Sequence, residues 1–163
     1  MKRIFTSAVI LSLIMASQSK PNQSSTLNQK TEMETIINTE KAAIENMLFA
    51  YRDALNASDV SKVLPLYTED GVFMPSSAPT SVGQEQVKGA YEFVFSNIQL
   101  NIEFYIDEIV VNGDFALART TSKGTTLIHA TGETVPEENR ELFVLQKTSG
   151  SWKIARYMFN KMK

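Results

Sequence analysis

The run Ser151-Trp152-Lys153-Ile154-Ala155-Arg156-Tyr157-Met158-Phe159-Asn160 decides how this chain folds. Aromatic and β-favouring residues crowd into it, and Ser149-Gly150 stands immediately before it as a turn. Just upstream, Arg140-Glu141-Leu142-Phe143-Val144-Leu145-Gln146-Lys147 is a second strand-like run. Together they predict a long terminal hairpin. A closing strand this apolar has to be covered by other parts of the fold.

Further upstream, Asn112-Gly113 is a strong hairpin signal between two more strands, roughly Leu100 to Val111 and Phe115 to His129. A polar loop around Gly132 to Glu138 leads into the terminal hairpin. Ahead of the strands the pattern is helical: from about Thr35, Ile36, Ile37, Ile44, Met47, Leu48, Tyr51 and Leu55 recur at three- and four-residue steps. Ser58-Asp59 is placed to cap a short second helix ending near Leu66, and Val72-Phe73-Met74 is a short strand stopped by Pro75. After a loop from Ser76 to Val82, Gly83-Gln84-Glu85 opens a third helix with Val87, Tyr91, Val94 and Phe95 inward. Helices followed by an antiparallel meander predict an α+β domain, with the helices on one face of a curved sheet.

Composition bounds what such a domain can do. The chain has 163 residues, 43% hydrophobic and 21% charged, enough for one domain with its own core. A net charge of −2 offers no basic footprint for nucleic acid or acidic membranes. Cysteine is absent and His129 is the one histidine, which excludes disulfides, thiolate sites, a cysteine nucleophile and a His-rich metal centre. There is no glycine-rich nucleotide loop, serine nucleophile motif or metal-ligand spacing, so neither cofactor nor metal is expected. Lys2 and Arg3, the apolar run Ile4 to Ala16, and the small residues Ala16, Ser17 and Ser19 form an export signal, too short for the ~20 residues of a membrane span. The expected division is therefore a signal over 1–19, a disordered polar linker over 20–34 and one domain over 35–163. The mature protein is then periplasmic or extracellular, without a stable membrane anchor.

Strand register nominates side chains for a pocket. If Asn112-Gly113 forms a two-residue turn, Arg119 lies opposite Ile106 and Thr121 opposite Phe104. The face holding Ile102, Phe104, Ile106, Leu117, Arg119 and Thr121 is the more apolar, and is expected to meet the helices. In the last hairpin, Arg140, Leu142 and Val144 share a face with Ala155, Tyr157 and Phe159, which leaves Phe143, Leu145, Trp152 and Ile154 outward. A bulge would instead turn Arg156, Met158 and Asn160 inward. An arginine in an apolar strand needs a partner. For Arg119 and Arg140 this is either a carboxylate such as Glu108 or Glu141, or an anionic ligand held in a bidentate grip. Met74, Tyr91, Phe95, Phe104, Thr121 and Tyr157 are candidate pocket lining, though a plain core would use the same apolar residues. Asp70 before Gly71 suits a structural turn, and the consecutive Asp107 and Glu108 should point to opposite faces.

Tyr67, Asp70, Gly71, Phe73 and Pro75, the helix start Gly83 and Glu85, and the closing strand Trp152 to Asn160 resemble the SnoaL-like/SgcJ-EcaC group of the NTF2-like superfamily. The resemblance runs from about Ala43 to Asn160. It implies a cone in which three N-terminal helices pack on a curved, mostly antiparallel sheet around a pocket. Similarity to ketosteroid isomerase, of the same superfamily, places Tyr51 where that enzyme keeps its oxyanion tyrosine. The isomerase's carboxylate base before the proline is replaced here by Met74, and at best Glu141 stands in for its second oxyanion acid. Similarity to the calmodulin-dependent kinase hub domain, with arginines lining an acid-binding pocket, favours a ligand on Arg119 and Arg140. The expected function is binding, or modest acid–base turnover, of a small hydrophobic acid or carbonyl compound by an exported homodimer joined through the outer sheet face. The alternative is a non-catalytic association module whose pocket is structural.

Overall fold

The computed structural model describes residues 23–162. The segment read as an export signal, 1–19, lies outside the described residues, among which no helix is long and apolar enough to cross a membrane. Helix α1 (Gln23–Asn56) is followed by α2 (Val60–Val63), a 3-10 turn (Leu64–Leu66), strands β1 (Tyr67–Met74) and β2 (Ser81–Val82), and helix α3 (Gly83–Asn97). Four long strands complete the chain: β3 (Ile98–Asn112), β4 (Phe115–Ile128), β5 (Glu133–Thr148) and β6 (Ser151–Lys161). They form one six-stranded sheet in the order β2-β1-β6-β5-β4-β3. Every pairing is antiparallel except β1 beside β6. The class is α+β, with the third helix inserted after the first two strands.

Helix α1 starts well before Thr35, so residues 23–34, read above as disordered linker, are helical. No glycine or proline interrupts the chain from 23 to 64. Polar side chains also serve the helix locally: the Thr35 and Thr39 hydroxyls donate to the carbonyls four residues back at 2.9 and 3.0 Å. Residues 28–36 are exposed, with Met33 63% and Ile36 56% accessible, and full burial begins at Ile44. Asp59 caps α2 as expected, accepting from the Lys62 amide. Val87, Tyr91 and Phe95 turn α3 inward.

Both long hairpins depart from the expected register, and the departures reverse faces. The first turn is Gly113-Asp114, with Asn112 paired to Phe115 and Gly113 at positive φ in the first central position, where a II′ hairpin needs glycine. A bulge at Asp107 adds a second shift, so Arg119 faces Glu108 and Thr121 faces Tyr105. On β3, Ile102 and Phe104 do point inward; on β4 the inward set is Ala116, Ala118, Thr120 and Ser122. In the terminal hairpin a bulge at Ala155 separates Leu145↔Ile154 from Val144↔Arg156. Phe143, Leu145, Trp152 and Ile154, expected outward, are therefore buried core. Tyr157 points inward as expected, while Arg140, Met158 and Asn160 are exposed on the other side. The stretch 133–138, expected as loop, is strand paired with β4 throughout.

Two contacts fix the end of α1 against the sheet. The Asn56 side chain donates to the Ile102 carbonyl at 2.8 Å and accepts from the Ile102 amide at 2.9 Å. Opposite Ile102 stands Gly124, where a Cβ would sit 2.1 Å from the Asn101 carbonyl oxygen. Only glycine allows β3 and β4 to approach this closely.

Candidate functional site

Between α1, α3 and the inner sheet face lies a cavity of about 130 Å³. Its floor is aromatic: Tyr51 from α1, Tyr91 from α3, Phe73 from β1 and Tyr157 from β6 are all buried. Phe73 stacks on Tyr91 at 4.9 Å and on Tyr157 at 5.5 Å, and Tyr51 meets Tyr157 edge-on. Half-buried Pro75, Val94, Ile98, Leu100, Glu137 and Phe159 mark the mouth.

Three tyrosine hydroxyls form a chain at the helix side. Tyr91 shares hydrogen bonds with Tyr51 and, at 2.8 Å, with Tyr67. Burial pushes all three phenols well above their ordinary range, so they stay protonated. The Tyr51 and Tyr67 hydroxyls also interact with each other, so the three protons are shared within the group. Tyr51 lines the cavity and Tyr67 does not. Tyr91 lines it as well, so Tyr51 and Tyr91 are the phenols of the three that meet the cavity.

The sheet side is polar and acidic. Glu137, Asn139 and Glu141 alternate along β5, so all three turn to the same face and line the cavity. Glu141 is buried, and accepts hydrogen bonds from Thr120 and, at 3.0 Å, from the Tyr157 hydroxyl. Burial pushes its carboxyl above the ordinary carboxylate range, while the Thr120, Tyr157 and Ser122 hydroxyls oppose the shift. Asn139 donates its amide nitrogen to Glu137 at 2.9 Å and to Ser122 at 3.3 Å; its buried Oδ1 has no hydrogen-bond partner. Glu137 also accepts from Thr126 at 3.1 Å and from Lys161 at 3.0 Å. Among the described residues no group of three or more His, Cys, Asp or Glu side chains converges to hold a metal ion.

Of the residues nominated from sequence, Tyr51, Tyr91 and Tyr157 line this cavity. Phe95 and Phe104 are core behind it, against Tyr91 and Tyr51 respectively. Met74 and Thr121 lie on the outer face, Thr121 donating to Asp107 at 3.2 Å. Arg119 and Arg140 do not reach the cavity and border a shallow outer groove with Leu142, Met158 and Asn160. Arg119 pairs with Asp107 at 3.0 Å and Glu108 at 3.6 Å, because the bulge at Asp107 brings both consecutive carboxylates to it. Asp70 is exposed and sits 3.4 Å from Arg156.

The profile of the SnoaL-like domain matches residues 48–157, which span α1 from Leu48 through Tyr157 of the closing strand. The chain belongs to the SnoaL-like domain family. A ketosteroid isomerase-like protein from Erwinia carotovora atroseptica is 36% identical to this SnoaL-like domain, with a TM-score of 0.72 over 75% of this chain and 95% of the other. Two more distant structures share the fold. A proposed dehydratase of the NTF2-like family from Streptomyces avermitilis is 18% identical, with a TM-score of 0.67 over 77% and 98% of the two chains. A proposed calcium/calmodulin-dependent protein kinase II association domain from Xanthomonas campestris is 23% identical, with a TM-score of 0.59 over 76% and 86%. No curated protein matches the chain.

Sequence reading missed Asn139, Glu137, Thr120 and Ser122, and gave Glu141 only a supporting part. Their signal was present as alternation: Glu137, Asn139 and Glu141 on one strand, Thr120 and Ser122 on its neighbour. Polar residues on alternate positions read as a solvent face, and only the observed register turns them inward.

Proposed function

We propose that this SnoaL-like domain binds a small, mostly apolar carbonyl or hydroxyl compound in the cavity and exchanges a proton with it at Glu141. The observation that carries the reading is Glu141 itself: a buried carboxyl, raised by desolvation and held by hydroxyls, at the polar end of an otherwise apolar cavity. A desolvated carboxyl with a raised pKa serves as acid or base better than an exposed one. In this reading the ligand oxygen accepts from Tyr51. When a proton leaves the carbon beside the carbonyl for the Glu141 carboxylate, the electron pair of the broken C–H bond forms the carbon–carbon double bond of the enolate and the carbonyl π pair moves to the oxygen, where the Tyr51 hydrogen bond stabilises it. Proton NMR of cyclohexanone in heavy water tests this. The protein should accelerate deuterium exchange beside the carbonyl, and Glu141→Gln should abolish the acceleration. An unchanged rate in the variant would remove Glu141 from the chemistry.

The proposal includes export through residues 1–19, and a homodimer joined by the outer sheet face. The residues that support the dimer are not those first expected. Val110, Leu117 and Val144 form one cross-strand row and Met74, Met158 and Leu142 another, with Val110 51% and Met158 38% exposed. Sedimentation at micromolar concentration should give twice the mass of the mature chain, and Met158→Glu should give monomers.

A further inference from the structure

We propose that the cavity admits uncharged single-ring compounds and rejects carboxylates of the same shape, with Glu141 setting that selectivity. This inference deepens the functional reading above and rests on it.

The first support is the kind of polar group the cavity presents. Among the described residues that line it, the charged ones are Glu137 and Glu141, with no lysine, arginine or histidine. The cation that reaches this end, Lys161, is engaged by Glu137 at 3.0 Å with its own side chain 57% exposed. Arg119 and Arg140, which a carboxylate would need, border a groove on the opposite face of the sheet. The donors that remain inside are already directed elsewhere: Thr120 and Tyr157 donate to Glu141, and the Asn139 amide nitrogen donates to Glu137 and Ser122. The Asn139 carbonyl oxygen, buried without a partner, adds one more acceptor to this end. A carboxylate entering here would give up its hydration, meet a second carboxyl and find no counter-ion. A ketone, aldehyde or alcohol brings no charge, and meets the Tyr51 hydroxyl at the cavity wall.

The second support is size. An apolar cavity of about 150 Å³ accommodates a benzene ring. At about 130 Å³, walled by Phe73, Tyr91, Ile102, Tyr157 and Phe159, this cavity holds one six-membered ring and not a fused pair.

Isothermal titration of the purified protein at neutral pH tests both halves, using ligands matched in ring. The pairs are cyclohexanone with cyclohexanecarboxylate and benzaldehyde with benzoate, with 2-tetralone as the two-ring ketone. The neutral member of each pair should bind at least about 100-fold more tightly, as expected for like charges brought close in a poorly solvated site. Glu141→Gln should narrow the gap to less than about 10-fold by strengthening carboxylate binding, because it removes the repelling charge and keeps the shape. The wild-type comparison decides the point by itself if that variant does not fold. A carboxylate that binds as tightly as its neutral partner would overturn the selectivity while leaving the cavity's role in binding intact. Equal affinity for 2-tetralone and cyclohexanone would overturn the size limit. If no member of the panel binds, this inference and the functional reading beneath it both fail.

Discussion

The two faces of β4 and β5 differ in a direction opposite to the usual one. Toward the helices the pair presents Thr120, Ser122, Glu137, Asn139 and Glu141 beside Phe143 and Leu145. Away from them it presents Leu117, Leu142 and Val144 around Arg119 and Arg140. A half-covered antiparallel sheet ordinarily turns its apolar face to the core. Here part of the inner face is given to a polar site, and much of the outer face is apolar. Apolarity alone therefore selects the wrong face. What marks the inner one is that every polar group on it but Asn139 Oδ1 has a partner, from the Thr120–Glu141 bond to the Asn139–Glu137 bond.

The largest effect should come from truncating neighbours on opposite faces. Phe143 is fully buried and stacks on Tyr157 at 4.4 Å, so Phe143→Ala should cost about 3–5 kcal/mol. The adjacent Leu142, half-buried on the outer face, should cost about 1 kcal/mol or less as Leu142→Ala. Urea unfolding of the two variants in the monomeric Met158→Glu background measures the difference. Equal costs would mean that the outer face is as closely packed as the inner one.

A pH series on Glu141→Gln sharpens the comparison further. Burial raises the Glu141 carboxyl in the folded chain above its ordinary value of 4.5. A group with a higher pKa folded than unfolded contributes stability that is fully present below the unfolded value and is lost as the pH rises through the folded one. The stability of the unmodified protein relative to Glu141→Gln should therefore fall as the pH is raised from 4.5, and then level off. Paired thermal melts across that range supply the test, and a difference that rises with pH would put Glu141 in a pairing that favours its charge.

Smaller effects follow at the two hydroxyl and guanidinium candidates. Tyr51→Phe removes one neutral hydrogen bond from the tyrosine chain, and should weaken cyclohexanone binding by about 0.5–1.5 kcal/mol. Calorimetry of wild type and variant reads it directly, and an unchanged affinity would leave Tyr51 with a packing role only. Arg140→Leu lies on the exposed face and should alter unfolding free energy by no more than about 0.5 kcal/mol, with cyclohexanone affinity unchanged. A loss of ligand binding in that variant would tie the outer groove to the cavity and break the contrast between faces.

Sequence alone determined the number, kind and order of most elements, because these follow from local chemistry. The Asp59 cap, the helix opening at Gly83, the Ser149-Gly150 turn and the run of β-favouring residues after it each act over a few residues. The family was legible for the same reason, since its residues Tyr67, Gly71, Phe73, Pro75 and the closing strand are short-range patterns. The start of α1 was not legible: polar residues 23–34 carry no apolar period, and their helix is carried by continuity with the packed half. Tertiary structure decided which side chains the cavity receives. Side chains alternate with period two along a strand, so single bulges at Asp107 and Ala155 were enough to exchange faces, whereas the displaced turn at Gly113 moves each partner by two residues and keeps the faces. Arg119 went out and Thr120 came in, Arg140 went out and Glu141 came in. Such one-residue choices are settled by how well the whole sheet packs on α1 and α3, an energy summed over contacts distant in the chain.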